Sequence, residues 1–217
     1  MELTCLAIVT LYIAARGRLD GWSSWPLEFA TTAVAAWACE QSCISGYGFY
    51  HYNSVEWTVT IGHVPLAVAL IWPVVILSAR QVAASMFDKQ ALATALIVLF
   101  DAALIEPLAV AAGLWRWTEP GLFGVPPIGV VGWAAFTFLW SCSANKPIAA
   151  RALVTFVGLH AVLLVLWWGG LRWISADVAP TGAIITLAIA SLGGCLWAAG
   201  HAAARGFELR RAMLRVP

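Results

Sequence analysis

Ala91-Leu92-Ala93-Thr94-Ala95-Leu96-Ile97-Val98-Leu99-Phe100-Asp101-Ala102-Ala103-Leu104-Ile105-Glu106-Pro107 is a membrane-crossing helix by length and apolarity, interrupted by two carboxyls. An ionised carboxylate at mid-bilayer costs about 2.5–3.5 kcal/mol on insertion scales. Glu40 and Glu56 likewise fall within or beside apolar runs. Neutral carboxyls used as helix-packing glue are the plain reading of such residues. Two on one helix point instead to a site that handles protons or binds a ligand.

Working outward, the 217 residues are 62% hydrophobic and 11% charged, against about 25% charged in a soluble domain. Mean hydropathy is +0.85. The expected class is an all-α polytopic membrane bundle, one transmembrane domain over residues 1–217. A net charge of +1 gives no reason to expect nucleic acid as a partner. The expected surroundings are the lipid bilayer, in the cytoplasmic membrane.

Hydropathy divides the chain into seven spans, each judged against the roughly 20 residues a helix needs to cross. They are Glu2–Ala15, Trp25–Ser42, Thr58–Ala79, Ala91–Leu114, Ile128–Ser143, Ile148–Gly170 and Val178–Ala204. The first is short. Glu2 precedes it and the arginines follow it, so it reads as a retained helix and not a signal peptide. Ten of the twelve Lys and Arg residues fall on one side: Arg16, Arg18, Arg80, Lys89, Lys146, Arg151 and the tail's Arg205, Arg210, Arg211 and Arg215. Arg116 and Arg172 fall on the other. By the positive-inside rule the 205–217 tail is cytoplasmic and the N-terminus outside.

Two outer loops, about residues 43–57 and 115–127, hold the unusual residues. The first contains Tyr47, Tyr50, His51 and Tyr52, the second Trp115, Trp117 and Pro126-Pro127, both punctuated by glycine. An interfacial aromatic belt accounts for scattered Trp and Tyr, such as Trp22, Trp25, Trp167, Trp168 and Trp173. It accounts less well for Gly, Pro, His and acids gathered in two loops. Irregular backbone at membrane depth needs shielding by protein or a cavity, so these loops read as a mouth or lid over a pocket. Glu40 and His63 lie near its expected edge. Asp101 and Glu106 sit about 7–8 Å apart along the axis and about 140° around it. A Pro107 kink can relax that separation.

Other chemistries lack their residues. The histidines His51, His63, His160 and His201 are scattered singly, with no HxxxH cluster. There is no phosphate loop, no Asp-rich diphosphate motif and no nucleophile elbow. Cys39 and Cys43 share one helix face, too awkward for an easy disulfide, and two thiols make no zinc site. The expectation is chemistry by carboxyl, phenol, imidazole and water, without metal or other cofactor.

Glu40, Gly46, Gly48, Phe49 and Tyr52, then Gly62, Pro65, Leu66 and Trp72, resemble the carotenoid biosynthesis protein family. So do Asp101, Glu106-Pro107, Gly113, Trp115, Trp117, Gly121, Gly124-Val125-Pro126 and Gly132-Trp133, so that the resemblance spans about residues 40–135. That family includes membrane hydratases acting on lycopene-type or bacterioruberin-type ends. The chain departs in having Glu106 where the family tends to have Asp, and Pro127-Ile128-Gly129 where an Asn is usual.

The residues and the resemblance imply one chemistry. Hydrating a trisubstituted alkene needs a proton on one carbon, a tertiary cation held briefly, and water on the other carbon. A carboxyl taken out of water keeps a proton to donate. Aromatic faces stabilise the cation by roughly 2 kcal/mol or more when desolvated. The expected catalytic residues are Asp101, Glu106 and Glu40, with the deeper Asp101 as acid and Glu106 orienting water. Tyr47, Tyr50, His51, Tyr52, His63, Trp115, Trp117 and Trp133 are expected to line a lipophilic polyene or isoprenoid substrate. Two alternatives stay open: a cyclase or isomerase using the same acid without water, and a non-catalytic carotenoid-binding protein.

Overall fold

The computed structural model describes residues 1–23 and 25–167. The expected span Val178–Ala204, the basic tail, Trp168, Arg172, Trp173, Cys195 and His201 lie outside the described residues. Within them the chain forms six α-helices: α1 (Glu2–Asp20), α2 (Trp25–Ser42), α3 (Leu66–Met86), α4 (Gln90–Ala111), α5 (Pro127–Cys142) and α6 (Ile148–Leu166). Three of them, α3, α4 and α6, are long and apolar enough to cross a membrane. α5 is apolar but shorter.

Helix α2 coincides with its expected span. Helix α3 does not: it starts eight residues after Thr58 and runs on to Met86. The stretch before it is instead a tight hairpin of β2 (Thr60–Ile61) and β3 (Val64–Pro65). Gly62 turns it with φ 64°, a conformation open to glycine at little cost. Pro65, extended, then starts the helix. Apolar residues alone do not distinguish this hairpin from a first helical turn.

The other local departure from helix is the lid. After α2 a π-helical turn (Cys43–Tyr47) ends at Gly48, left-handed with φ 64°, which redirects the chain into β1 (Tyr50–Tyr52). This strand pairs antiparallel with β4 (Trp115–Trp117), in the register Tyr50 to Trp117, His51 to Arg116 and Tyr52 to Trp115. Bonds from Thr118 N–H to the Phe49 carbonyl (2.8 Å) and from Asn53 N–H to the Leu114 carbonyl (3.0 Å) extend the ladder at both ends. The two outer loops are thus one structure.

Helix α4 packs most extensively on α5, and α3 touches α1, α2 and α4. The largest buried cluster gathers Ala36, Cys39, Ile76, Phe136, Trp140, Leu159 and Leu163 beneath Tyr50 and Trp117 of the lid. At the opposite end Glu28 of α2 meets Arg80 of α3 and Arg151 of α6. The two arginines that charge counting put on one side therefore share one end, away from the lid.

A carboxyl pair beneath an aromatic lid

Strand alternation sorts the lid's side chains. Tyr50 and Trp117 are buried, Tyr52 and Trp115 partly so, while His51 and Arg116 are exposed on the opposite face. His51 Nε2 lies 3.4 Å from an Arg116 nitrogen, outside the aromatic layer. The inner face is continuous: the Tyr50 and Trp117 ring centroids are 4.7 Å apart, and those of Tyr52 and Trp115 are 5.6 Å apart. Burial, then Glu40 beside them, holds both phenols well above the usual phenol range, so they remain hydrogen-bond donors.

Two helices each raise one carboxyl to this layer. Glu40, near the end of α2, is 4% exposed. Its two oxygens accept bonds from the Tyr52 hydroxyl (2.7 Å) and the Trp72 Nε1–H of α3 (2.8 Å). Glu106 of α4, also 4% exposed, accepts from Trp115 Nε1–H (2.9 Å) and, more weakly, Trp117 Nε1–H (3.4 Å) on one oxygen. Every donor is neutral. Buried carboxyls normally have a cation or metal for company, and these two have indoles and a phenol.

Glu40 lines a cavity beneath the lid. Its other walls are apolar or aromatic, with Cys39 from α2, Cys43, Phe49, Tyr50 and Trp117 from the lid and the turn leading into it, and Trp133, Phe136, Leu159 and Leu163 from α5 and α6. Trp133 stacks on Trp72, centroids 3.3 Å apart and planes 19° apart, so Glu40's donor is braced by a wall of the cavity. A second space lies outward of the first between Gly46–Gly48, Thr118, Glu119 and Pro126.

Of the residues expected from sequence, the structure brings together Glu40, Glu106, Tyr50, Tyr52, Trp115, Trp117 and Trp133. Tyr47 lines the outer space only. His51 faces outward, and His63 is exposed on the β2–β3 turn, where its backbone N–H binds Gln41 Oε1 at 2.8 Å. Asp101 is half-buried on another face of α4, with no hydrogen bond among the described residues. The rotation of about 140° between two positions five residues apart explains that separation. Glu56 is exposed in the loop. Trp72 was missed as a site residue. Its signal was a lone indole amid an apolar helix, where a buried N–H needs an acceptor. Also unread from sequence was the partnership of His160, whose Nε2 is 2.8 Å from Ser42 Oγ. Among the described residues no three His, Cys, Asp or Glu side chains are grouped to hold a metal.

A helical membrane protein with two uncharged-partner carboxyls beside an aromatic cavity is a fold and site suited to a lipophilic substrate. The chain belongs to the carotenoid biosynthesis protein family, whose description matches residues 1–191. It is thereby a membrane protein with a role in carotenoid biosynthesis. No curated protein and no solved structure matches the chain.

Proposed function

We propose that this protein is a cofactor-independent hydratase, adding water across a C=C bond of a carotenoid or related polyene. One observation carries the reading. Glu40 lines an otherwise aromatic and apolar cavity, and both its oxygens are bound by neutral donors alone. Such a carboxyl can hold a proton, release it to an apolar substrate, and be stabilised as it gains charge. The donors are already aimed at it, which is the preorganisation that makes such stabilisation effective.

The chemistry closes on one carboxyl. Glu40 donates its proton to one alkene carbon, and the π electrons form the new C–H bond. The tertiary cation left on the other carbon lies among the faces of Tyr50, Trp117 and Trp133, which favour positive charge. Water bonds to that carbon, and the resulting oxonium returns a proton to the Glu40 carboxylate, giving the tertiary alcohol. Glu106 does not line this cavity; it fixes Trp115 and Trp117 and is a positioning residue. The assignment places the acid at Glu40 in preference to the half-buried Asp101.

A second reading has its own support. The walls around Glu40 are otherwise apolar or aromatic, and a cation kept from water would lose a proton or be attacked by a neighbouring double bond, giving isomerisation or cyclisation. Product analysis separates the two. Membranes carrying the chain are supplied with polyenes bearing unmodified ends. The expected product gains the mass of one water and disappears with Glu40→Gln. Product of unchanged mass selects the second reading, and no product with any polyene overturns both.

A further inference from the structure

The Glu40 cavity and the outer space share three walls: Phe49, Trp117 and Ile128. The outer space has polar walls in Thr118 and Glu119 and opens where Gly46, Gly48, Thr118 and Glu119 are exposed. The inner one is bounded by Glu40 and apolar groups. Trp117 is the partition with the most built support. Its Nε1–H binds Glu106, its ring lies 4.7 Å from that of Tyr50, and its other side lies over Gly129. A Cβ on Gly129 would meet the indole Cζ2 at 2.5 Å, so the ring occupies the space that any side chain there would fill.

We propose that Trp117 meters water from the outer space to the Glu40 cavity and so sets how much of the cation is hydrated. This rests on the acid-initiated reading above and adds to it the residue that decides the product. Water reaching the cation forms the C–O bond and returns a proton to Glu40. With the passage shut, the cation instead loses a proton from an adjacent carbon to the Glu40 carboxylate, giving an alkene of unchanged mass. Phe49, stacked on Tyr47 with centroids 5.0 Å apart and tilted against Trp167 at 5.5 Å, is one side of the passage. Trp117 is the opposite side, held by Glu106, Tyr50 and the space over Gly129.

Cys43 in the inner wall supplies a readout independent of turnover. Permeabilised membranes are treated with a small, charged, lipid-impermeant thiosulfonate, and modification of Cys43 is timed by peptide mass spectrometry. The natural protein is expected to react slowly at Cys43. Trp117→Ala and Gly129→Ala are each expected to speed it by an order of magnitude or more, while Trp117→Phe, which keeps a ring, gives a smaller rise. With substrate, the hydrated fraction of the product should rise in the same order. Cys43 reacting equally fast in all four proteins overturns the proposal, as does faster labelling with an unchanged hydrated fraction. Faster labelling with no hydrated product from any of them leaves Trp117 as a water barrier but removes the hydratase reading on which its catalytic role rests. Gly129→Ala keeps Trp117 itself, so a folding failure of Trp117→Ala does not decide the matter.

Discussion

Glu28 and Glu40 share helix α2, about 18 Å apart along its axis, and keep opposite company. Glu28 accepts from Arg80 and Arg151, the latter at 3.3 Å, and Arg151 also stacks on the Trp140 ring with its guanidinium carbon 3.9 Å from the centroid. Glu40 has a phenol and an indole. The first is a glutamate answered by charge, which locks three helices at the basic end. The second is answered only by dipoles, so a change in its protonation leaves no buried cation stranded. A proton can therefore come and go at the lid end without unpacking the bundle, whereas at the basic end it would disrupt the fold. Charge partners identify Glu28 as a structural acid; Glu40 combines neutral partners with a place in the cavity wall.

The sharpest break of this contrast is Glu40→Gln. Turnover is expected to fall about 10²–10⁴-fold, with thermal stability kept, because Gln fits the same site and still accepts from Tyr52 or Trp72. Normal turnover would return Glu40 to a packing role. Glu106→Gln comes next, with an expected loss of about 10- to 100-fold from weakening its bonds to Trp115 and Trp117. It should also change the ratio of hydrated to unhydrated product, a shift that simple loss of packing would not produce. At the other end Glu28→Gln leaves two arginines facing each other. The expected cost is about 1–3 kcal/mol of stability, below that of a fully buried pair because Glu28 is partly exposed. Its product ratio should be unchanged. Asp101→Asn is expected to be smaller still, within a few-fold of normal turnover; abolished turnover would move the acid to that face of α4.

The smallest effect concerns pH. Tyr50 and Tyr52 hold their protons well above the usual phenol range in the folded lid, chiefly through burial. The unfolded chain releases those protons above about pH 10. Their contribution to stability is therefore complete below that value and is lost as pH rises beyond it. Tryptophan fluorescence should report alkaline opening of the lid, and Tyr50→Phe should move that opening to higher pH.

Hydropathy was enough to set α2, α4 and α5 within a few residues, because each is a continuous apolar run. It misplaced the start of α3, because Val59, Ile61 and Val64 extend the apolar run across Thr58–Pro65, which folds as a hairpin around Gly62. The lid was legible as an odd composition and not as a sheet. Strands of three residues carry too little alternation to read, and β1 pairs with a strand more than sixty residues away. Among the acids, helical geometry already implied that Asp101 and Glu106 could not both face one point. Which one turned inward depended on the packing of α4 against α5, a tertiary matter. His51 and His63 looked like site residues because of their neighbours in sequence. Strand alternation turned His51 outward, and the glycine turn left His63 exposed.

The most direct test follows the atoms of water. Membranes containing the natural protein and a polyene substrate are incubated in water labelled with both heavy oxygen and deuterium. The expected product carries one heavy oxygen on the tertiary carbon and one non-exchangeable deuterium on its neighbour, and Glu40→Gln forms neither. An alcohol bearing the heavy oxygen without the deuterium, or with both labels undiminished in Glu40→Gln, would contradict protonation by this carboxyl.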